Sequence, residues 1–177
     1  MFLLAVDVKK AVFFLLIVIN IMATGDLLKD FGLLKWESSP ALVQIYYEDL
    51  VEDPVFSTSR DIQVFSSYEH RDDISRLSFY FYQNKLFKVE ALYSREYADL
   101  SYLNNKVEAM KSQYGLYSLR EKTEKVGFFT KKSRLLAWAK GATLISLQGI
   151  DLYDENEILV DSHLLEVHEY YPISIKF

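Results

Sequence analysis

The chain has no cysteine among its 177 residues. That absence excludes disulfides, thiol catalysis, thiolate zinc sites and an N-terminal lipid carried on cysteine. Proline is nearly as scarce, at three, and the six glycines are scattered rather than gathered into a loop that cradles phosphate. Histidine occurs only at His70, His163 and His168, and no Gly-x-Ser-x-Gly element accompanies it. Nucleophilic catalysis needs a hydroxyl or thiol beside a base, and no such set is legible. His163 and His168 stand five positions apart, a spacing that neither a helix nor a strand puts on one face. They read as polar surface histidines, although a helical tail would let Glu166 join His163. Residues 151–157 supply oxygen ligands but lack the spacing and central glycine of a calcium loop, and read as a solvated hairpin turn. The expectation is a chain that is not an enzyme and carries no cofactor or metal.

What is abundant is apolar and aromatic. Half the residues are hydrophobic, with 12 Phe and 13 Tyr, which argues for a packed core and against disorder. The tyrosines suit strands with one face partly wet. Net charge is −5, and an acidic domain is a poor binder of nucleic acid, whose affinity comes from Lys and Arg neutralising phosphates. Lys9-Lys10, the apolar run at 11–22 and the small-x-small end Ala23-Thr24-Gly25 have the layout of a secretory signal peptide. The run is short of the ~20 residues that span a bilayer. Cleavage after Gly25 would leave a mature chain of net charge −6 from Asp26, because one acid and two lysines go. The expectation is therefore a signal peptide at 1–25, one domain at 26–177, and a periplasmic or extracellular location. The alternative is membrane anchoring through residues 11–22.

Residues 76–115 organise the rest. Leu77, Phe79 and Phe81 alternate with polar neighbours, the period of a half-buried strand. A second strand over 86–93 puts Phe87, Val89, Ala91 and Tyr93 on one face. A loop at 83–85, or a bulge, pairs Phe81 with Phe87, Phe79 with Val89 and Leu77 with Ala91. A plain two-residue loop would set Phe79 against Lys88 and turn the wrong face inward. Leu100, Leu103, Val107, Met110 and Tyr114 then mark one stripe of a helix. Ser94 is its expected N-cap and Gly115 its C′ residue.

Upstream, Ser39-Pro40 predicts the start of a short helix. Leu42, Ile45 and Tyr46 carry it towards Pro54, and Trp36 is expected as a core anchor at its entrance. Residues 55–68 read as strand with a turn at 58–61, and 69–73 as a charged loop. Downstream, residues 120–125 read as a charged connector. Strands over 133–139 and 142–150 flank Lys140-Gly141, which sets Leu136 opposite Ile145 and Trp138 opposite Thr143. Residues 158–160 open another strand, and 164–171 fit either helical or alternating spacing. The order of elements predicts an α+β fold: two layers, a mostly antiparallel sheet, and two helices on one face. It hints at a duplicated helix–three-strand unit.

Trp36-Glu37-Ser38-Ser39-Pro40 followed by Val43 resembles the Trp-x-x-Ser-x-x-x-Val opening of a loose group of uncharacterised bacterial exported proteins. Phe79-Tyr80-Phe81, Asn84-Lys85-Leu86-Phe87, Tyr114-Gly115, Trp138 and Ile145 are similar to that group's later landmarks. More distantly the chain is similar to small outer-membrane-assembly lipoproteins, which are α+β adaptors, though it lacks their lipid-bearing cysteine. The resemblance implies a non-catalytic interaction or accessory domain with an envelope protein as partner. The alternative is a small-molecule or peptide-binding module that uses a sheet face lined by Tyr80 and Tyr82. No nucleic-acid partner is expected, and membrane contact only through an uncleaved N-terminal segment.

Overall fold

The hairpin at the centre forms with its apolar residues facing one another. Strands β5 (Ile74–Tyr82) and β6 (Lys85–Tyr93) pair Phe79 with Val89 and Leu77 with Ala91. The loop is the short one, Gln83-Asn84, with both residues at positive φ as a tight hairpin turn demands. A register shift between Tyr80 and Phe81 absorbs the mismatch, so Leu86 stands opposite Phe81. The bulge, one of the two expected solutions, keeps the apolar face inward. Phe87 is displaced: its ring meets Tyr80 instead of the inner core.

The computed structural model describes residues 27–28, 31, 34–54, 57, 61–68, 71–98 and 100–171. The expected signal peptide, the turn residues 58–60, Glu69, His70 and Asp99 lie outside them. Besides the hairpin, the elements are β1 (Leu27–Leu28), β2 (Leu34–Lys35), α1 (Pro40–Tyr46), β3 (Val51–Glu52) and β4 (Ile62–Ser67). After β6 come a 3₁₀ turn (Arg95–Tyr97), α2 (Leu100–Tyr114), β7 (Ser118–Val126), β8 (Phe129–Lys140), β9 (Thr143–Tyr153) and β10 (Leu159–Tyr170). Eight strands form one antiparallel sheet in the order β3-β4-β5-β6-β10-β9-β8-β7, and β1 and β2 form a separate pair. Each helix is followed by a four-strand meander, and the two meanders meet at β6 and β10. The repeated unit thus has four strands where the sequence suggested three, because β3 and β7 carry no alternating apolar pattern to betray them. Val43 and Tyr47 at α1 and Leu103, Val107 and Met110 of α2 share one cluster with Phe79, Val89, Trp138 and Leu147. Both helices therefore cover the same side of the sheet, and the fold is the expected two-layer α+β arrangement.

Several local expectations give way to tertiary context. Residues 120–125 are strand, not connector: β7 is a charged edge strand, exposed along nearly its whole length and held by pairing with β8. The β8–β9 turn is Gly141-Ala142, which sets Leu136 opposite Leu147 and Trp138 opposite Ile145. The slip is two residues, which preserves the inward face and so leaves the hydrophobic pattern unchanged. Residues 164–170 are strand. Ser94 precedes the 3₁₀ turn rather than α2, and its hydroxyl donates to the Asp72 carbonyl. Gly115 ends α2 at φ +87° as expected. In α1, Val43 is buried while Ile45 and Tyr46 are exposed. A two-turn helix has room for one inward row, and the core takes Val43 and Tyr47. Trp36 is the anchor expected of it, and Asp154 closes the acidic turn by accepting from the Asn156 and Ile158 amides.

The Ser39 hydroxyl accepts the Leu42 amide at 3.3 Å, with Pro40 at the first helical position. Ser39→Ala is expected to lower stability by about 1 kcal/mol, read from a denaturant titration, with Ser39→Asp close to the parent. An unchanged midpoint in the alanine variant would mean that packing alone holds this helix.

Candidate functional site

Alternation along β5 sends Leu77, Phe79 and Phe81 towards the helices and Ser78, Tyr80 and Tyr82 to the opposite face. Among the described residues no helix covers that second face. Cross-strand register builds it in rows. Leu92 pairs with Leu165, which pairs with Gln148; in the next row Glu90, Val167 and Ser146 align. A third row runs Tyr80, Lys88, Glu169 and Leu144. Leu92, Leu165 and Val167 are half-buried and Leu144 is exposed.

The two tyrosines singled out by sequence share this face but differ in role. The Tyr80 hydroxyl donates to Glu90 Oε2 at 2.6 Å, and Lys88 Nζ lies 4.0 Å from its ring centre and 2.7 Å from Glu90 Oε1. Burial, then the Glu90 hydrogen bond and charge, push its phenol well above the ordinary value. Tyr80 is thus a fixed neutral donor inside a satisfied cluster. Tyr82 sits half-buried at the hairpin end, where the Gln83 amide reaches its hydroxyl at 3.4 Å.

The densest polar chemistry lies on the other side, inside the core. In β10 it is Leu164, Glu166 and His168 that face the helices, and Glu166 is 1% and His168 3% exposed. His168 is therefore no surface histidine; His163 is, paired with Asp161 at 3.0 Å. Glu166 Oε2 accepts the Tyr93 hydroxyl at 2.6 Å and meets Lys106 Nζ of α2 at 2.8 Å. Its Oε1 lies 2.7 Å from His168 Nε2. Burial drives the Glu166 carboxyl up, but the His168 hydrogen bond and the Lys106 charge outweigh it and hold it at about 2. Tyr93 packs on Tyr102, whose hydroxyl donates to Asp73 Oδ2 at 2.5 Å, and Asp73 in turn binds Arg71. Two polar groups, Arg71–Asp73–Tyr102 at the surface and Tyr93–Glu166 in the core, thus meet through the Tyr93–Tyr102 ring contact.

With its donors placed, Glu166 is occupied as an acceptor and acts as an ionic strut between β10 and α2. Among the described residues no group of three or more His, Cys, Asp or Glu could hold a metal ion. A groove of about 240 Å³ runs between α2 and the β7–β8 hairpin, lined by Asn104, Glu108, Tyr117 and Leu136 among others. It falls below the usual size of a small-molecule pocket, and Arg134 and Glu121 pair within it at 2.8 Å. No helix of the described residues is long and apolar enough to cross a membrane.

Sequence reasoning missed the Glu166 cluster for a definite reason. Read as a strand, the tail offers Leu165 and Val167 as its apolar row, yet these face away from the helices. The charged row goes inward because Lys106 and Tyr93 meet it there, from 60 and 73 residues away in the chain. Comparison with protein-family models, with characterised proteins and with solved structures found no match.

Proposed function

We propose that this chain is an exported, non-catalytic interaction domain of the bacterial envelope that takes a protein partner on the helix-free face of its sheet. The observation that carries the reading is the set of rows on that face: half-buried Leu92, Leu165 and Val167, with Lys88, Glu90 and Glu169 beside them. Apolar side chains set among charged ones suit a protein surface. With Glu90 and Glu169 exceeding Lys88, and a net charge of −5, the complementary partner has an apolar centre and a basic rim. The signal-like N-terminus supports export, and the landmarks beginning at Trp36 support membership in the exported group and kinship of type with envelope adaptors. A membrane anchor at residues 11–22 is the alternative location.

A second reading rests on Tyr80 and Tyr82, both half-buried on this face, with the buried Phe87 ring packed edge-on behind Tyr80, an aromatic corner suited to a peptide or small molecule. One experiment separates the two. Mild in-cell crosslinking of the tagged protein, followed by affinity purification and mass analysis of its N-terminus, is expected to yield one recurrent envelope protein and a chain starting near Asp26. Leu165→Arg with Val167→Arg should abolish that capture while leaving the circular dichroism unchanged. Capture that survives the double variant but fails in Tyr82→Ala would favour the aromatic corner. Substrate turnover abolished by a single substitution would overturn both.

A further inference from the structure

β7 ends the sheet: among the described residues its only strand neighbour is β8. It is nine residues long and exposed except at Glu124. Such an edge presents a row of unmatched backbone groups and is a template for another strand. The orientation of those groups follows from the hairpin. A Gly127-Phe128 turn closes on the pair Val126–Phe129, so Val126, Glu124, Lys122 and Arg120 direct their N–H and C=O groups towards β8. The Ser133 hydroxyl accordingly donates to the Lys122 carbonyl from the β8 side, at 3.4 Å. Leu119, Glu121, Thr123 and Lys125 direct theirs to the free edge.

We propose that β7 pairs antiparallel with β7 of a second copy of this chain, about a two-fold axis at Thr123. The charge sequence selects that occupant. Around Thr123 the residues read Arg120-Glu121-Lys122-Thr123-Glu124-Lys125-Val126, so the four inner charges face their opposites across the axis: Glu121 meets Lys125 of the other copy, Lys122 meets Glu124, and the outer Arg120 lies against Val126. Slipping the register by one or two residues either way sets like charges face to face: Glu121 on Glu124, Lys122 on Lys125, Lys122 on itself or Glu124 on itself. Opposite charges directly across an antiparallel pair stabilise it and like charges oppose it. The strand register ends at Val126, 51% exposed, and at each end Leu119, 49% exposed, lies beside the Gly127-Phe128 turn of the other copy, where Phe128 is 81% exposed. Apolar surface is thereby covered at both limits of the contact. Within one chain Arg134 pairs with Glu121, and Lys122 and Lys131 pair with Glu124; the second strand adds its charges at the open side, where Lys122 and Glu124 gain a second opposite partner. The interface is isologous and joins two eight-stranded sheets into one. It is independent of the helix-free face, and neither reading depends on the other.

Because the chain lacks cysteine, single cysteines report the register directly in the full-length protein. In a hydrogen-bonded antiparallel pair the Cα atoms lie about 5.5 Å apart, within the range a disulfide bridges. Thr123→Cys under mild oxidation is expected to give a covalent dimer of twice the chain mass. Cysteine at Glu155, in the exposed β9–β10 turn, should give little. Glu121→Cys and Lys125→Cys should each crosslink poorly alone and well when mixed. For charge, Glu121→Lys and Lys125→Glu should each weaken the dimer by about tenfold in sedimentation, and an equimolar mixture should restore it as a heterodimer. That restoration distinguishes lost pairing from a fold damaged at the Arg134 contact. Crosslinking at position 123 no better than at 155, or no recovery on mixing, would overturn the proposal.

Discussion

Replacing Lys106 with methionine is expected to lower stability by about 3 kcal/mol, because it leaves Glu166 buried without its cation. Methionine keeps most of the apolar stem, so packing changes little and the loss is electrostatic. The check is a double-mutant cycle in denaturant. In a Glu166→Gln background the same Lys106→Met change should cost under about 1 kcal/mol, since no buried charge is stranded. An equal cost in both backgrounds would mean that the Lys106 stem, rather than its charge, holds α2 to the sheet.

The same carboxylate sets an acid dependence. Its folded pKa, about 2, lies below the unfolded value of 4.5. Between those values the unfolded chain binds the extra proton, so stability falls as pH falls. The contribution is complete above pH 4.5, declines below it and is gone once pH has passed through about 2. Its size is on the order of 3 kcal/mol, and Glu166→Gln should remove that share of the acid slope. A wild-type and variant pair with parallel pH profiles would show that folding leaves the Glu166 pKa unshifted.

The second large effect is expected at Trp36. Its ring is 2% exposed and stacks on Tyr170 at 5.7 Å, and its Nε1 donates to Thr143 Oγ1 at 2.8 Å. Trp36→Ala should therefore cost about 3–5 kcal/mol, seen as a lower melting temperature and denaturant midpoint. Thr143→Val isolates the polar part, since it buries the indole N–H without an acceptor, at about 1–3 kcal/mol. The loss is large because Trp36 fastens the segment before α1 onto β9 and β10, while its neighbours Glu37 and Ser38 exchange backbone bonds with Leu86. A cost near zero for Trp36→Ala would mean the sheet stands without this segment.

Legibility differed by element for physical reasons. The β5–β6 hairpin and α2 were readable because each carries its full periodicity: Leu77, Phe79 and Phe81 at period two, and Leu103, Val107 and Met110 at helical spacing. β7 was not, because an exposed edge strand has no apolar face to display. The β8–β9 turn moved by one residue, to Gly141-Ala142, and the pairing by two, because a register shift of two costs nothing in alternation. Tyr80 and Tyr82 were correctly seen as sharing a face, but only the neighbours Glu90, Lys88 and Gln83 separate a locked tyrosine from one at a hairpin end.

The sequence by itself determined the α+β class, the antiparallel hairpins, both helices and the anchoring place of Trp36. Those features follow from local periodicity, capping and turn chemistry, all of which act over a few residues. The tertiary structure alone decided which face of β10 turns inward, and so buried Glu166 and His168 where alternation offered Leu165 and Val167. The reason is that a buried charge is tolerable only where its partners converge. Lys106 from α2 and Tyr93 from β6 reach Glu166 only once the helix has settled on the sheet.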